Sequence, residues 1–240
     1  MNGRSIVPTH WPDLPPLPRF GEPVLVRVKT APLRSEARQQ VRVAAREILA
    51  EWSKRPAGVI EWRETPRGPI CEPTPDHPTV SLSFSYDGGA GWIGLVRGGT
   101  IGIDAMKASP FAEMPAVARL YLGPIASDAI AAATDPARAF ALAWTEMEAR
   151  TKLLRRDLTE WAFDSGPGER SPFVRHRCFD ANTVVTVLCA GEQNQAPTSA
   201  LPVAGHQDAS HASSSPRTQK FPLIPKMTIV PDVAVSRRLA

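Results

Sequence analysis

Hydrophobic and polar positions alternate most regularly between residues 79 and 104. From Thr79 to Tyr86, apolar residues occupy every second position and serines occupy positions between them. Alternation with a period of two predicts a β-strand with one buried face. Two further apolar stretches, Trp92–Val96 and Thr100–Asp104, follow after glycine pairs at residues 88–89 and 98–99. The pattern therefore predicts an antiparallel meander of three strands joined by tight turns.

Helical periodicity appears in two longer stretches. Residues 35–52 place apolar side chains on one stripe, with Ser35 as the expected N-cap. A second helix is predicted from Pro136 to about Leu154, with Thr134 or Asp135 as its cap. The remaining predicted elements are strands at Pro23–Thr30, Val59–Glu64 and Asn182–Cys189, and a loop at Phe163–Arg177.

Proline and polar residues divide the chain into segments. The 25 prolines crowd into the first twenty residues, into residues 66–78 and into the part after Gly191. After Gly191, low-complexity composition rich in Gln, Ser, Thr, Pro and Ala predicts a disordered tail over residues 191–240. We interpret residues 1–22 as an irregular proline-rich lead, 23–99 as an N-terminal half and 100–190 as a C-terminal half.

Composition excludes several classes of function. The net charge of +4, without a run of Lys and Arg, favours anionic ligands or acidic partner proteins over nucleic acid. No apolar run approaches the roughly 20 residues of a membrane span, and no secretory signal is apparent. Cys71, Cys178 and Cys189 form neither a metal-ligand spacing nor an even disulfide set, which is typical of reduced thiols. We expect a cytoplasmic monomer that binds neither nucleic acid nor membrane.

Three charged residues are candidates for chemistry. Glu148 and Lys152 lie four residues apart on one face of the predicted helix, where the plain interpretation is a surface ion pair worth ~0.3–0.5 kcal/mol. Asp104 ends a predicted strand and either starts a turn or binds a metal. Magnesium usually takes one or two carboxylates together with substrate phosphates and water, so Asp104 and Glu148 would meet its minimum.

Several segments together resemble the motifs of the 4′-phosphopantetheinyl transferases, closest to their larger, pseudo-dimeric, Sfp-like group. They are Ser81–Ser85, Gly102–Met106 and Trp144–Lys152, with Arg42–Leu49 similar to the family's Arg-x-x-x-Arg-x-x-Leu helix and Arg67–Pro69 similar to its Gly-Lys-Pro segment. The resemblance covers roughly residues 24–190 in the expected order. It implies an α+β fold of two similar α/β halves related by a pseudo-twofold axis, with antiparallel sheets and long helices, and an active site between the halves.

The resemblance also implies an activity, namely transfer of the phosphopantetheine arm of coenzyme A to a serine of an acyl or peptidyl carrier protein, releasing 3′,5′-ADP. Asp104 and Glu148 would hold Mg²⁺. Glu148, or a water held by the metal, would take the serine proton, and Lys152 would stabilise or protonate the departing ADP. The implied contacts to coenzyme A come from Arg42, Arg67, Ser83 and Ser85. From the residues alone, Arg42 could equally lie on a solvated helix face, and both serines could simply face solvent.

The chain departs from the family pattern at several positions. Phe84 replaces a histidine that contacts coenzyme A phosphates, Met106 replaces a metal carboxylate and Met147 replaces a lysine. An Asp-x-Met-Lys sequence like that at residues 104–107 also occurs in a eukaryotic branch of the family, whereas the glycines expected after Lys152 are missing. These departures favour an alternative function, a weakened or inactive relative that binds coenzyme A or a carrier protein without transfer. A third hypothesis, an unrelated α+β binding protein, would make the ordered matches accidental.

Overall fold

The described part of the chain contains two β-sheets, each packed against one long helix. The computed structural model describes residues 4–65, 68–70, 80–162 and 173–191, all of which fall in one compact unit of the chain. The strands of this part are β1 (Arg4–Ser5), β2 (Thr9–His10), β3 (Pro23–Lys29), β4 (Arg63–Thr65), β5 (Gly68–Ile70), β6 (Val80–Asp87), β7 (Ala90–Arg97), β8 (Gly99–Lys107), β9 (Val174–Asp180) and β10 (Thr183–Gly191). The helices are α1 (Arg34–Ser53), α2 (Met114–Val117), α3 (Gly123–Ala131) and α4 (Pro136–Leu153), with a 3₁₀ turn at Ala57–Val59 and a π-helical turn at Ala118–Leu122.

The order of the strands defines two sheets. The N-terminal sheet has the order β2-β3-β7-β6-β5-β4, and the C-terminal sheet has the order β1-β9-β10-β8. Helix α1 packs on β3 and β7, whereas α4 packs on β8 and β10. Both sheets are mixed, because β1 runs parallel to β9 and β2 runs parallel to β3. The expectation of helices with sheets is confirmed, and the expectation of purely antiparallel sheets is wrong at these two outer strands.

The long helices follow their apolar stripes. In α1, Val41, Ala45 and Ile48 are fully buried in the core beneath the N-terminal sheet, as an amphipathic helix on a sheet requires. Because this helix begins at Arg34, Ser35 is not its N-cap. In α4 the predicted cap at Asp135 is confirmed, since its Oδ1 accepts a hydrogen bond of 3.0 Å from the backbone N–H of Arg138.

The predicted three-strand meander is confirmed only over β6 and β7, which pair antiparallel. The expectation is wrong for β8, because that strand leaves the N-terminal sheet and pairs with β10 in the C-terminal sheet. The turns after β6 and β7 contain glycines with positive φ, at 46° for Gly88, 110° for Gly89 and 61° for Gly98. Tight turns favour glycine at such angles because it has no side chain to clash with the backbone. Strand β8 continues to Lys107, so Asp104 lies inside the strand and does not begin a turn. The carboxylate of Asp104 is therefore held on a rigid element.

Other expectations need correction. Residues 57–59 form a 3₁₀ turn and β4 begins only at Arg63, so the strand predicted from Val59 is too long. The predicted loop at Phe163–Arg177 contains the start of β9, from Val174. The lead is less irregular than predicted, because it supplies β1 and β2. The predicted tail, apart from Gly191, lies outside the described residues, as does Cys71. None of the described helices has both the length and the apolar character to cross a membrane.

Cys178 and Cys189 are both buried free thiols. Burial raises the pKa of the Cys189 thiol to about 11. We expect alkylation of native Cys189 by iodoacetamide at pH 8 to be roughly a hundredfold slower than alkylation of the unfolded chain, because the thiolate is the reacting form. Peptide mass spectrometry after timed quenching measures both rates. Equal rates in the native and unfolded protein would contradict the burial of this thiol.

Candidate functional site

Strand β8 and helix α4 approach each other closely at Gly102. A Cβ atom at this position would lie 2.0 Å from the backbone oxygen of Ala149 and 2.5 Å from the backbone nitrogen of Leu153. Only a residue without a side chain allows this approach. Because side chains two residues apart on a strand point to the same face, Asp104 also faces α4. The local sequence thus places a carboxylate against the last turns of that helix.

Lys152 on α4 meets this carboxylate. Its Nζ donates a hydrogen bond of 2.7 Å to Oδ1 of Asp104, and the two residues are 48 positions apart in the chain. The pair is largely shielded from solvent, with 11 % of the Asp104 side chain and 30 % of the Lys152 side chain exposed. The structure therefore brings together the strand motif and the helix motif that the sequence singled out.

The ammonium group of Lys152 also binds two backbone carbonyls. It donates to the carbonyl oxygen of Ile103 at 3.0 Å and to that of Phe84 at 3.5 Å. An ammonium group has three hydrogens, and each thus has an acceptor. The interpretation of Lys152 as part of a solvated surface pair is wrong, because this side chain links α4 to β6 and β8.

Glu148 lies on α4 one turn before Lys152 and is half-buried. Its position on the helix agrees with the predicted spacing. Its role as a metal ligand and proton acceptor stays a prediction.

Three serines join β6 to β8, and we call them the serine seam (Ser81, Ser83 and Ser85). Strand β8 is the last strand of its sheet and pairs with β10 along one edge only. At its other edge the backbone N–H groups of Ile103 and Ala105 each donate a hydrogen bond of 3.0 Å, to Oγ of Ser83 and of Ser85 respectively. The Ser81 hydroxyl donates to the carbonyl of Gly99 at 2.5 Å. The alternating serines therefore satisfy buried backbone groups that have no strand partner.

Ser85 makes one further contact that Ser83 does not. Its hydroxyl donates a hydrogen bond of 2.9 Å to Oδ1 of Asp104. Oδ1 thus accepts from Ser85 and from Lys152, while Oδ2 accepts from no donor among the described residues. Ser83 and Ser85 are 6 % and 5 % exposed, so the interpretation that they face solvent is wrong. Both hydroxyls already form hydrogen bonds within the protein. The contacts of Ser83 and Ser85 with coenzyme A stay predictions.

The other predicted residues are distributed around this centre. Arg42 is half-buried on α1, and its contact with coenzyme A stays a prediction. Arg67 lies outside the described residues. Phe84 meets the ring of Trp62 edge-on at 6.3 Å, and the guanidinium of Arg46 lies 4.4 Å from the centre of that tryptophan ring. Phe84 thus packs into an aromatic cluster at the border of the N-terminal core.

Helix α4 is held in place by contacts that the sequence did not indicate. Its Thr145 shares a buried hydrogen bond of 2.8 Å with Thr186 on β10. Its Glu146 forms ion pairs with Arg175 and Arg177 on β9. Trp144 stacks on Phe140 with ring centres 5.6 Å apart. These contacts fix the helix that carries Glu148 and Lys152.

In the described residues, no group of three or more His, Cys, Asp or Glu side chains is arranged to hold a metal ion. A divalent cation held by these described residues would have fewer than three such protein ligands, and substrate phosphates and water would complete its coordination.

No protein-family model matches the chain, and a search of curated proteins gave no match.

Proposed function

We propose that the protein is a Mg²⁺-dependent 4′-phosphopantetheinyl transferase that acts on an acyl or peptidyl carrier protein. The observation that carries the proposal is the hydrogen bond of 2.7 Å between Lys152 and Asp104. It joins a strand motif and a helix motif that resemble those of this family, and a shared active site requires such convergence. The proposal rests on the resemblance together with this contact.

The arrangement of sheets and helices is compatible with the two-part architecture that the resemblance implies. One long helix packs on each sheet, α1 on the N-terminal sheet and α4 on the C-terminal sheet. Asp104, Lys152 and the serine seam lie where β6 of one sheet meets β8 of the other. We propose that these two units are the similar halves and that coenzyme A binds beside their junction.

Two carboxylates support the proposal of a magnesium ion bound together with a phosphate ligand. Asp104 has one carboxylate oxygen without a donor among the described residues, and Glu148 supplies a second carboxylate on α4. Both would hold the ion, and substrate phosphates and water would complete its preferred six oxygen ligands. When bound, Mg²⁺ would neutralise the charge on the pyrophosphate of coenzyme A.

The protein's own groups would carry the proton transfers. The carrier serine oxygen forms a bond to the β-phosphorus of coenzyme A, while the bond from that phosphorus to the oxygen of the 3′,5′-ADP leaving group breaks. Glu148 would accept the serine proton as general base. Lys152 would stabilise the negative charge that develops on the departing phosphate. Its bond to the Phe84 carbonyl is its longest, at 3.5 Å, so this hydrogen is the one most easily redirected to the phosphate.

A second candidate function is binding of coenzyme A or a carrier protein without transfer. The observation that favours it is that all three hydrogens of Lys152 already have acceptors within the protein. Phe84 also supplies an aromatic ring, packed on Trp62, where the family has a phosphate-binding histidine. Both features reduce the number of side-chain groups that are available to bind phosphate.

The two functions differ in what happens to the carrier protein. Incubation with coenzyme A, Mg²⁺ and an apo carrier protein is expected to add about 340 Da, the mass of the arm, to the carrier. Intact-mass spectrometry measures this gain, and a panel of fatty-acid, polyketide and peptide-synthetase carriers covers the candidate partners. Bound coenzyme A with no gain on any carrier would reject the transferase and support the second function.

A further inference from the structure

We infer that Ser85 is a positioning residue that holds the Asp104 carboxylate in one orientation. Its hydroxyl makes two bonds at once, accepting from the backbone N–H of Ala105 at 3.0 Å and donating to Oδ1 of Asp104 at 2.9 Å. Both Ser85 and Asp104 are buried, with 5 % and 7 % of their surfaces exposed. The serine is therefore fixed by the backbone of the same strand that carries the carboxylate it binds.

The carboxylate is held from two sides. Ser85 approaches Oδ1 from β6, and Lys152 approaches the same oxygen from α4. Two donors on one oxygen restrict rotation of the carboxylate and leave Oδ2 as the oxygen that can bind a ligand. Groups of this kind, which orient a ligating carboxylate without touching the substrate, commonly change metal affinity or activity by 10–100-fold when they are removed.

Ser83 provides a matched control within the same strand. It is equally buried, and its Oγ accepts a bond of the same length from the backbone of β8, at Ile103. Its hydroxyl has no bond to a carboxylate among the described residues. Alanine at either position leaves one backbone N–H of β8 without its acceptor, so the two variants share their structural loss. Only Ser85→Ala also releases Asp104.

Crystal structures of Ser83→Ala and Ser85→Ala test the inference directly. We expect the Asp104 carboxylate to turn away from its original orientation in Ser85→Ala and to keep it in Ser83→Ala. Ser85→Cys, which fills the site with a slightly larger side chain and a weaker donor, replaces the alanine variant if that variant does not fold. An unmoved carboxylate in the Ser85 variant, or equal movement in both variants, would overturn the inference.

The kinetic consequence depends on the proposed function. We expect Ser85→Ala to lower kcat for transfer roughly tenfold relative to the unmodified protein, without changing the KM for the carrier protein. Ser85→Thr, which restores the hydroxyl, is expected to recover most of the loss. An unchanged kcat in a folded Ser85→Ala variant would overturn the inference. If the unmodified protein transfers nothing, the proposed function fails, whereas the carboxylate orientation in the crystals still decides the role of Ser85.

Discussion

Replacement of Asp104 by asparagine is expected to lower kcat/KM for transfer at least about a thousandfold, an effect at the upper end of what loss of one electrostatic group produces. The substitution keeps the size of the side chain and its oxygen acceptor for Ser85. It removes the negative charge that faces Lys152 at 2.7 Å and that would hold the metal. Transfer kinetics followed by carrier mass give the activity, and urea unfolding gives the stability.

The control breaks a different ion pair in the same protein. Asp180 on β9 pairs with Arg27 on β3 at 2.7 Å, and both side chains are about one-third exposed. We expect Asp180→Asn to keep normal transfer. Comparable losses in the two variants would trace the effect to general destabilisation. Full activity of a folded Asp104→Asn would remove this carboxylate from the mechanism.

Replacement of Gly102 by alanine is expected to destabilise the protein by about 3 kcal/mol, the range for overpacking a tight core. The new methyl would lie 2.0 Å from the backbone oxygen of Ala149, and a backbone atom cannot rotate aside as a side chain can. Helix α4 must therefore shift away from β8. Chemical denaturation monitored by tryptophan fluorescence measures the loss of unfolding free energy.

The matched substitution is Gly58→Ala, since a Cβ there would meet no atom within 4 Å. We expect its unfolding free energy to stay within about 0.5 kcal/mol of the original. Because Gly102 sets the spacing between Asp104 and Lys152, Gly102→Ala should also impair transfer. A stable Gly102→Ala variant with unchanged activity would show that β8 and α4 need not lie so close.

Much of the fold could be predicted because burial dictates periodicity. Strand β6 and helix α4 carry apolar side chains at spacings that only one secondary structure buries together. The two-residue strands β1 and β2 are too short for any periodicity, and they form through pairing with distant partners. The sequence of strand β9 is rich in polar residues because Arg175 and Arg177 form ion pairs with Glu146 on α4. A tertiary contact of this kind cannot be predicted from the local pattern of residues.

The sequence pointed to candidate site residues, but it did not predict which contacts those residues make with each other. Asp104 and Lys152 were both singled out from the sequence and are in contact, but the plain interpretation of the sequence paired Lys152 with Glu148 on the same helix because their four-residue spacing suggests an ion pair. The partner in the structure lies on β8. The alternating serines of β6 were visible in the sequence. Their partners are backbone N–H groups on the free edge of β8, and these partners depend on how the two sheets are arranged.

The first strands of the chain have a consequence for handling the protein. Strand β1 lies outside β9 and β2 lies outside β3, so one stretch of a few residues covers the outer side of both sheets. A version shortened to begin after His10 would retain every motif residue, but it would expose unpaired backbone N–H and C=O groups along the edges of β9 and β3. Exposed strand edges pair with strands of other molecules. Such a version would therefore be prone to self-association for a reason unrelated to its catalytic activity.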